Sequence, residues 1–263
     1  MGRPANGLPG RREHSAVLSA AEKKRSSARA LEEIIGTSTG IHIPHNTIHS
    51  IMKRNGLASD EPKKKSGRKW VRYEREHSNS MWHTDYKQLD DGRWFIAYQD
   101  DASRFVAGYG VFGNATTKNA LKVLREAIKN HGKPASVLTD HGSQFYANES
   151  EVKKKGESEF EKELIALDIR HILARIRHPQ TNGKLERLHG ELQRKVHRFE
   201  DVAGPPCTGT PFGVRKIEKD PVARFIHWYN YERPHKSLDW DRLETPAEAF
   251  VRKKPLTEVI ESP

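Results

Sequence analysis

Three acidic residues stand where a carboxylate is costly to keep. Asp85 lies in Met-Trp-His-Thr-Asp-Tyr-Lys (81–87), among aromatic and β-branched residues, and desolvating it there demands a partner. Asp140 closes the short apolar run Val-Leu-Thr (137–139) and leads into His-Gly-Ser-Gln-Phe, where Gly142 permits a tight turn. Ligands of α/β sheets gather at such strand ends. Glu186 follows Leu185 in a helical pattern carried by Leu185, Leu188 and Leu192, and one residue turns a helix by about 100°, so it sits at the edge of the apolar stripe. Each acid taken singly reads more simply as a cap or a surface carboxylate. Three that converge repel one another and call for cations. Oxygen-only ligation suits Mg2+ or Mn2+ rather than zinc. Two such ions per site can clamp the attacking and leaving oxygens of an in-line phosphoryl transfer.

The elements around them predict a mixed sheet. Met81–Leu89, Arg93–Asp100 and Arg104–Phe112 have strand composition, with Asp90-Asp-Gly92 and Asp101-Ala-Ser103 as turns. Asp100 and Asp101 could compete as metal ligands, but they read more simply as part of that second hairpin turn. Thr116–Asn130 is an amphipathic helix, Ser136–Thr139 a short buried strand, Phe160–Leu167 a helix and Ile169–Leu173 a further strand. A long helix is expected over Thr181–Phe199 and another over Pro221–Tyr231, with Phe225, Trp228 and Tyr229 inward. Strand, strand, strand, helix, strand, helix, strand, helix describes an α/β fold with helices on the sheet faces.

The front of the chain is different. Lys and Arg number 46 against 35 Asp and Glu, a net charge of +11, and residues 1–80 hold 16 against 8, or +8 of that excess. Such a bias favours a polyanionic partner. Ser15–Arg25 and Ser27–Ile35 look helical, Gly36-Thr-Ser-Thr-Gly40 looks like a break, and a third helix should follow Pro44 with Ile48, Ile51 and Met52 inward, ending at Asn55-Gly56. Three short helices suit a helix-turn-helix DNA-binding domain over residues 1–60. Its recognition helix would expose Asn46, Thr47, His49, Ser50, Lys53 and Arg54. A basic linker over 61–78, including Lys63, Lys64 and Lys65, would follow a DNA backbone. A helical bundle serving dimer contacts is the competing reading of residues 1–60. Lys184, Arg187, Arg194 and Arg198 are further DNA-contact candidates, the three arginines falling at i, i+7 and i+11. A single cysteine excludes an internal disulfide framework and suits a reducing cytoplasm, and no apolar run is long enough to span a bilayer.

Four stretches in order carry a resemblance: Thr-Asp85-Tyr, Thr-Asp140-His-Gly-Ser-Gln-Phe, His178-Pro-Gln-Thr-Asn-Gly-Lys-Leu-Glu186-Arg and Tyr229-Asn-Tyr-Glu-Arg-Pro-His235-Lys-Ser-Leu. Over residues 70–250 the chain resembles the integrase catalytic core of retroviruses and of insertion-sequence transposases. The resemblance implies a ribonuclease H-like five-stranded mixed sheet over 79–250, its minimal core at 79–199, with a tail at 251–263. It implies a DDE triad of Asp85, Asp140 and Glu186 that is both catalytic and metal-binding, with two Mg2+ or Mn2+ ions. It also implies cleavage at an element end to expose a 3′-OH, then attack of that 3′-OH on target DNA. The expected partners are double-stranded DNA, as terminal inverted repeats and as target, and further copies of the chain. The expected setting is the nucleoid of a prokaryotic cytoplasm, with no membrane. A non-catalytic regulator descended from a transposase, or a nuclease on the same fold, are the alternatives. Forty-five residues separate Asp140 from Glu186, more than in the common family pattern. The polar run 148–158 accounts for the excess as a surface insertion, which costs little; residues 200–214 read as a second insertion. His83, His141 and His178 flank the acids and are expected to pack or hydrogen-bond. Arg233, Pro234 and His235 are expected to buttress the core or meet DNA.

Overall fold

In a computed structural model the described residues are 11–24, 26–58, 74–146, 158–174, 183–200 and 220–255. Lys63, Lys64, Lys65, His178 and nearly all of the runs 148–158 and 200–214 lie outside them. The chain divides into two compact units, Met1–Lys69 with Glu232–Glu244, and Trp70–Tyr231 with Thr245–Pro263. The segment Glu232–Glu244, expected within the catalytic domain, thus groups with the N-terminal helices.

The first unit contains α1 (Arg11–Lys24), α2 (Ala28–Thr39) and α3 (His45–Arg54). Ser27 caps α2 by accepting the Ala30 amide, and Val17, Leu31, Ile35, Ile48, Ile51 and Met52 close one small core. The expected break at Gly36 does not occur. The helix runs on to Thr39 and stops at Gly40, whose φ of 71° supplies the left-handed turn. The helix penalty of one glycine is modest, and the exposed last turn is closed by Thr39 Oγ1 donating to Ile35 O (2.7 Å) and the Gly40 amide donating to Gly36 O (2.9 Å). On α3, Asn46, Ser50, Lys53 and Arg54 are exposed, while Thr47 and His49 are half-buried.

The second unit is built on β1 (Trp82–Gln88), β2 (Trp94–Asp100), β3 (Val106–Phe112), β4 (Ser136–Thr139) and β5 (Arg170–Leu173). Their order is β3-β2-β1-β4-β5, antiparallel from β3 to β1 and parallel from β1 to β5. The mixed five-stranded sheet is therefore as expected. Strand alternation sorts side chains to two faces. Trp82 and Tyr86 join Ile96 and Tyr98 on the face covered by α4 (Thr117–His131) and α5 (Glu159–Ala166). Phe95, Ala97 and Val106 lie on the other face, under α6 (Gly183–Lys195) and α7 (Pro221–His227). The turn at Gly92 (φ 84°) aligns the first hairpin.

Glycines on β3 let α4 approach. A Cβ on Gly108 would stand 2.7 Å from that of Ala127. Gly108→Val is expected to destabilise the protein by about 1–3 kcal/mol, read as a lower urea midpoint at unchanged slope.

Two helices differ from expectation in a way that matters. The long helix becomes 3-10 at Val196–Phe199, which turns Phe199 inward against Phe225 (5.9 Å) and Trp228 (5.7 Å). The helix expected over Pro221–Tyr231 widens to a π-helix at Trp228–Glu232. Trp228, Tyr229 and Asn230 are consecutive and all buried, which one face of a regular α-helix cannot accommodate. The Asn230 amide then takes the place of a strand neighbour at the sheet edge: its Oδ1 accepts from Val106 N (2.9 Å) and its Nδ2 donates to Val106 O (3.0 Å). A short α8 (Pro246–Arg252), started by a Thr245/Glu248 capping box, was not anticipated.

Candidate active site

Asp85 occupies the middle of β1, opposite Ala97 of β2. On its other side β4 runs parallel, with His83 opposite Leu138. Two residues further along each strand come Asp85 and Asp140. The same alternation carries both to the same face, and neighbouring strands lie about 4.8 Å apart, so two carboxylates arrive side by side. Asp85 Oδ1 accepts from the Tyr86 amide (2.7 Å) and Asp140 Oδ1 from the Gly142 amide (2.9 Å). A Cβ on Gly142 would stand 2.9 Å from that same Asp140 oxygen, which is why glycine follows here.

Aromatic residues hold the two acids in register. Tyr86, next to Asp85, stacks on Phe145 (5.8 Å), the fully buried end of the Asp140 loop, and its hydroxyl donates to Thr116 O (2.7 Å). Phe145 in turn meets Phe160 edge-on (5.1 Å). The far side of the loop is tied to the strand beyond by His141, whose Nε2 is 2.9 Å from Ala174 O. Both histidines within the described residues thus have the packing and hydrogen-bonding roles expected of them, His83 through the bond described below.

Glu186 lies in the first turn of α6, which packs against β1, and its side chain is exposed. Its charge reaches the pair. The Asp85 carboxyl is pushed up from 3.8 to about 7, first by burial, then by Asp140 and Glu186, against the Tyr86 amide that lowers it. Three carboxylates therefore share one field. Among the described residues no three His, Cys, Asp or Glu side chains form a group able to hold a metal ion. Three carboxylates offer only oxygen donors, the kind a hard cation prefers.

Comparison with known proteins places the chain in a family. Two models described as integrase core domain match the chain, one over residues 75–179 and the other over 167–241. The chain belongs to the integrase core family of DDE integrases and transposases. Among the chain's relatives, ORF3 of Spiroplasma virus SpV1-C74, which is named as an integrase, is 28% identical over 161 residues. That alignment covers 58% of this chain and 41% of the viral protein, so the chain spans about two fifths of that relative. An uncharacterized protein of Archaeoglobus fulgidus is 31% identical over 127 residues, 48% of this chain and 82% of that one. A chain of the simian T-cell lymphotropic virus intasome, solved in complex with PP2A regulatory subunit B56 gamma, superposes with a TM-score of 0.51 at 17% identity. It covers 89% of this chain and 74% of the other, and at that identity the likeness is one of fold. The ribonuclease H-like architecture is thus that of an integrase core.

The basic candidates on the integrase core fare unequally. Arg187 and Arg194 are exposed on α6, whereas Arg198 lies half-buried on the 3-10 turn, where the face that would join all three no longer continues. Glu191, on the same helix, is buried and accepts from Lys195 Nζ (2.8 Å). Lys184 is engaged inside the protein rather than turned to a ligand: its ammonium contacts Asp101 Oδ1 and, at 3.3 Å, Asp101 O.

Asp101 is what reading the sequence missed. Its carboxyl is 1% exposed, and its Oδ1 also meets His83 Nε2 at 2.6 Å, while Oδ2 accepts the Arg75 amide at 2.6 Å. Asp100 is equally buried and accepts from the amides of Asn79 and Ser103 and from Ser103 Oγ. The pair forms an internal hub rather than a solvated hairpin tip. Burial alone would raise the Asp101 carboxyl; His83 and Lys184 hold it well below the usual carboxylate range instead. The signal was present in the sequence: two adjacent acids end an apolar strand, the same argument that singled out Asp85. In the other unit, the buried His235 has Ser237 Oγ 2.8 Å from its Nδ1 and donates its amide to Glu244 O (2.9 Å).

Proposed function

We propose that this chain is a DNA transposase or integrase of the DDE type, which cleaves DNA at element ends and joins them to target DNA. The observation that carries the reading is that Asp85, Asp140 and Glu186, all three from the resembling motifs, are near enough to interact: burial first, then Asp140 and Glu186, raise the Asp85 carboxyl to about 7. A half-buried carboxylate raised by burial and by two neighbouring acids is poised to ionise on meeting a cation. Asp85, Asp140 and Glu186 would hold two Mg2+ or Mn2+ ions, which supply Lewis acidity and lower the pKa of the attacking hydroxyl when bound. The sheet residues fix Asp85 and Asp140, while exposed Glu186 is free to swing toward them.

Residues 1–60 serve in this proposal as a helix-turn-helix that binds terminal inverted repeats, 61–78 as a basic tether, and 79–250 as the catalytic domain acting in a multimer. The exposure of Asn46, Lys53 and Arg54 on α3 supports that role, as do the exposed Arg187 and Arg194 for contact along the substrate backbone. No helix among the described residues is long and apolar enough to cross a membrane.

Incubating the protein with labelled inverted-repeat ends, a target duplex and Mg2+ tests the reading. Joined product is expected. Cleavage without joining would make the chain a nuclease, and binding without cleavage would leave a DNA-binding regulator. For the N-terminal unit, Lys53→Ala and Arg54→Ala are each expected to weaken binding evenly across sequences and to flatten the slope of log K against log salt by about 1. An unchanged slope in a salt titration of both variants would remove them from the interface.

A further inference from the structure

We propose that Asp101 is a positioning residue for the metal centre, one that ties β1 to α6 and thereby sets where Glu186 stands relative to Asp85. The inference rests on the reading above, that Asp85, Asp140 and Glu186 hold the metal. It is drawn from a juxtaposition. Asp101 Oδ1 meets both His83, two residues before Asp85 on β1, and Lys184, two residues before Glu186 on α6. Its other oxygen is fixed by the Arg75 amide at 2.6 Å, so the carboxyl cannot rotate without losing a bond.

The contact is built, not incidental. The side chains of Asp101, His83 and Lys184 are 1%, 4% and 18% exposed. The turn that carries Asp101 is itself held: Arg104, at a left-handed φ of 67°, donates to Glu74 Oε2 (2.6 Å), and Lys253 spans Glu74 Oε1 (2.9 Å) and Ala102 O (2.6 Å). Helix α6 is otherwise seated by Leu185, Leu188 and Leu192, and apolar contact is non-directional, so it permits small rotations. Lys184 and Glu186 flank that stripe on opposite sides, about 200° apart around the helix. A roll of the helix that frees Lys184 from Asp101 must therefore displace Glu186. A short charged contact with fixed partners supplies the direction that the leucines do not.

The test uses the full-length chain and Mn2+ as the probe, with free Mn2+ followed by electron paramagnetic resonance. Asp85→Asn serves as the control that the ion binds at the carboxylates. Partners beyond the direct ligands commonly influence metal affinity by about 10–100-fold, and a loss in that range is expected for Asp101→Asn and for Lys184→Met. Lys184→Met is the deciding variant. Removing a positive charge near a cation site tightens binding if charge alone matters, and weakens it if Lys184 orients α6. Lys184→Arg, which keeps the contact, should stay near wild type. The Asp101→Asn/Lys184→Met double variant should be no worse than the weaker single, because both break one link. In strand transfer the half-saturating Mg2+ concentration should rise more than the rate at saturating Mg2+ falls. Should Asp101→Asn not fold, the comparison of Lys184→Met with Lys184→Arg decides alone. A folded Lys184→Met with unchanged or tighter Mn2+ binding overturns the proposal. If Asp85→Asn leaves Mn2+ binding intact, the metal reading itself fails and the proposal falls with it.

Discussion

Asp85→Asn is expected to abolish Mg2+-dependent strand transfer and, in the same protein, to raise its stability at pH 8 without metal. Loss of a carboxylate that anchors catalytic cations removes several kcal/mol of transition-state stabilisation, about a thousandfold or more in rate. The opposite sign of the stability effect follows from linkage. Burial, Asp140 and Glu186 raise the Asp85 carboxyl from 3.8 to about 7 in the folded chain. A group raised in this way contributes stability that is fully present below about pH 4 and is lost as pH rises through about 7. At pH 8 the ionised Asp85 faces two carboxylates, and an uncharged amide of the same shape relieves that repulsion by about 1–3 kcal/mol. Near pH 5 only part of that stability has been lost, so the gain from the substitution should be clearly smaller than at pH 8. Urea unfolding in EDTA at the two pH values separates the cases, and a difference of equal size at both would sink the electrostatic account. Added Mg2+ should stabilise wild type at pH 8 and leave Asp85→Asn nearly unmoved.

A chain ending at Glu200 is expected to lose its cooperative unfolding transition, although it retains all three acids and all five strands. Val222, Phe225, Ile226, Trp228 and Tyr229 are buried on the sheet face shared with Leu185, Leu188 and Leu192. Burying each large apolar side chain is worth about 2 kcal/mol, so together they supply about 10 kcal/mol, as much as a domain's whole net stability. The cut also leaves Gln99 without the Tyr229 hydroxyl (3.0 Å) and edge strand β3 without Asn230. Thermal melts followed by near-ultraviolet circular dichroism would show it. A sharp transition in the truncated chain would mean that residues 79–199 suffice, as the strand and helix pattern alone suggests.

Much was legible before any coordinates. Alternation and turn residues located all five strands to within two residues at either end, because a half-buried strand writes its pattern at period two. The inward positions Ile48, Ile51 and Met52 on α3, and Phe225, Trp228 and Tyr229 after Pro221, are buried as expected. Helix ends were less legible. Gly36 is read as a stop from propensity alone, yet Gly40 is the stop: one glycine costs a helix only about 1 kcal/mol, and the next turn closes with the Gly40 amide on Gly36 O. The 3-10 and π segments were invisible because each exists to seat particular side chains, Phe199 in one and the Trp228–Asn230 triplet in the other, against partners distant in sequence.

By itself the sequence determined the fold class and the places of Asp85 on a strand and Asp140 at a strand end, since these depend on local pattern and on motifs of adjacent residues. Tertiary structure alone decided that Asp85 and Asp140 stand side by side across parallel strands, and that Glu186 comes near enough to help raise the Asp85 carboxyl. It also decided that Lys184, which reads as a DNA-contact residue, is bound to Asp101 inside the protein. A charged side chain carries no mark in the sequence of whether it will face solvent or a buried counter-charge, because its partner, 83 residues away, is chosen by the packing of a helix on a sheet.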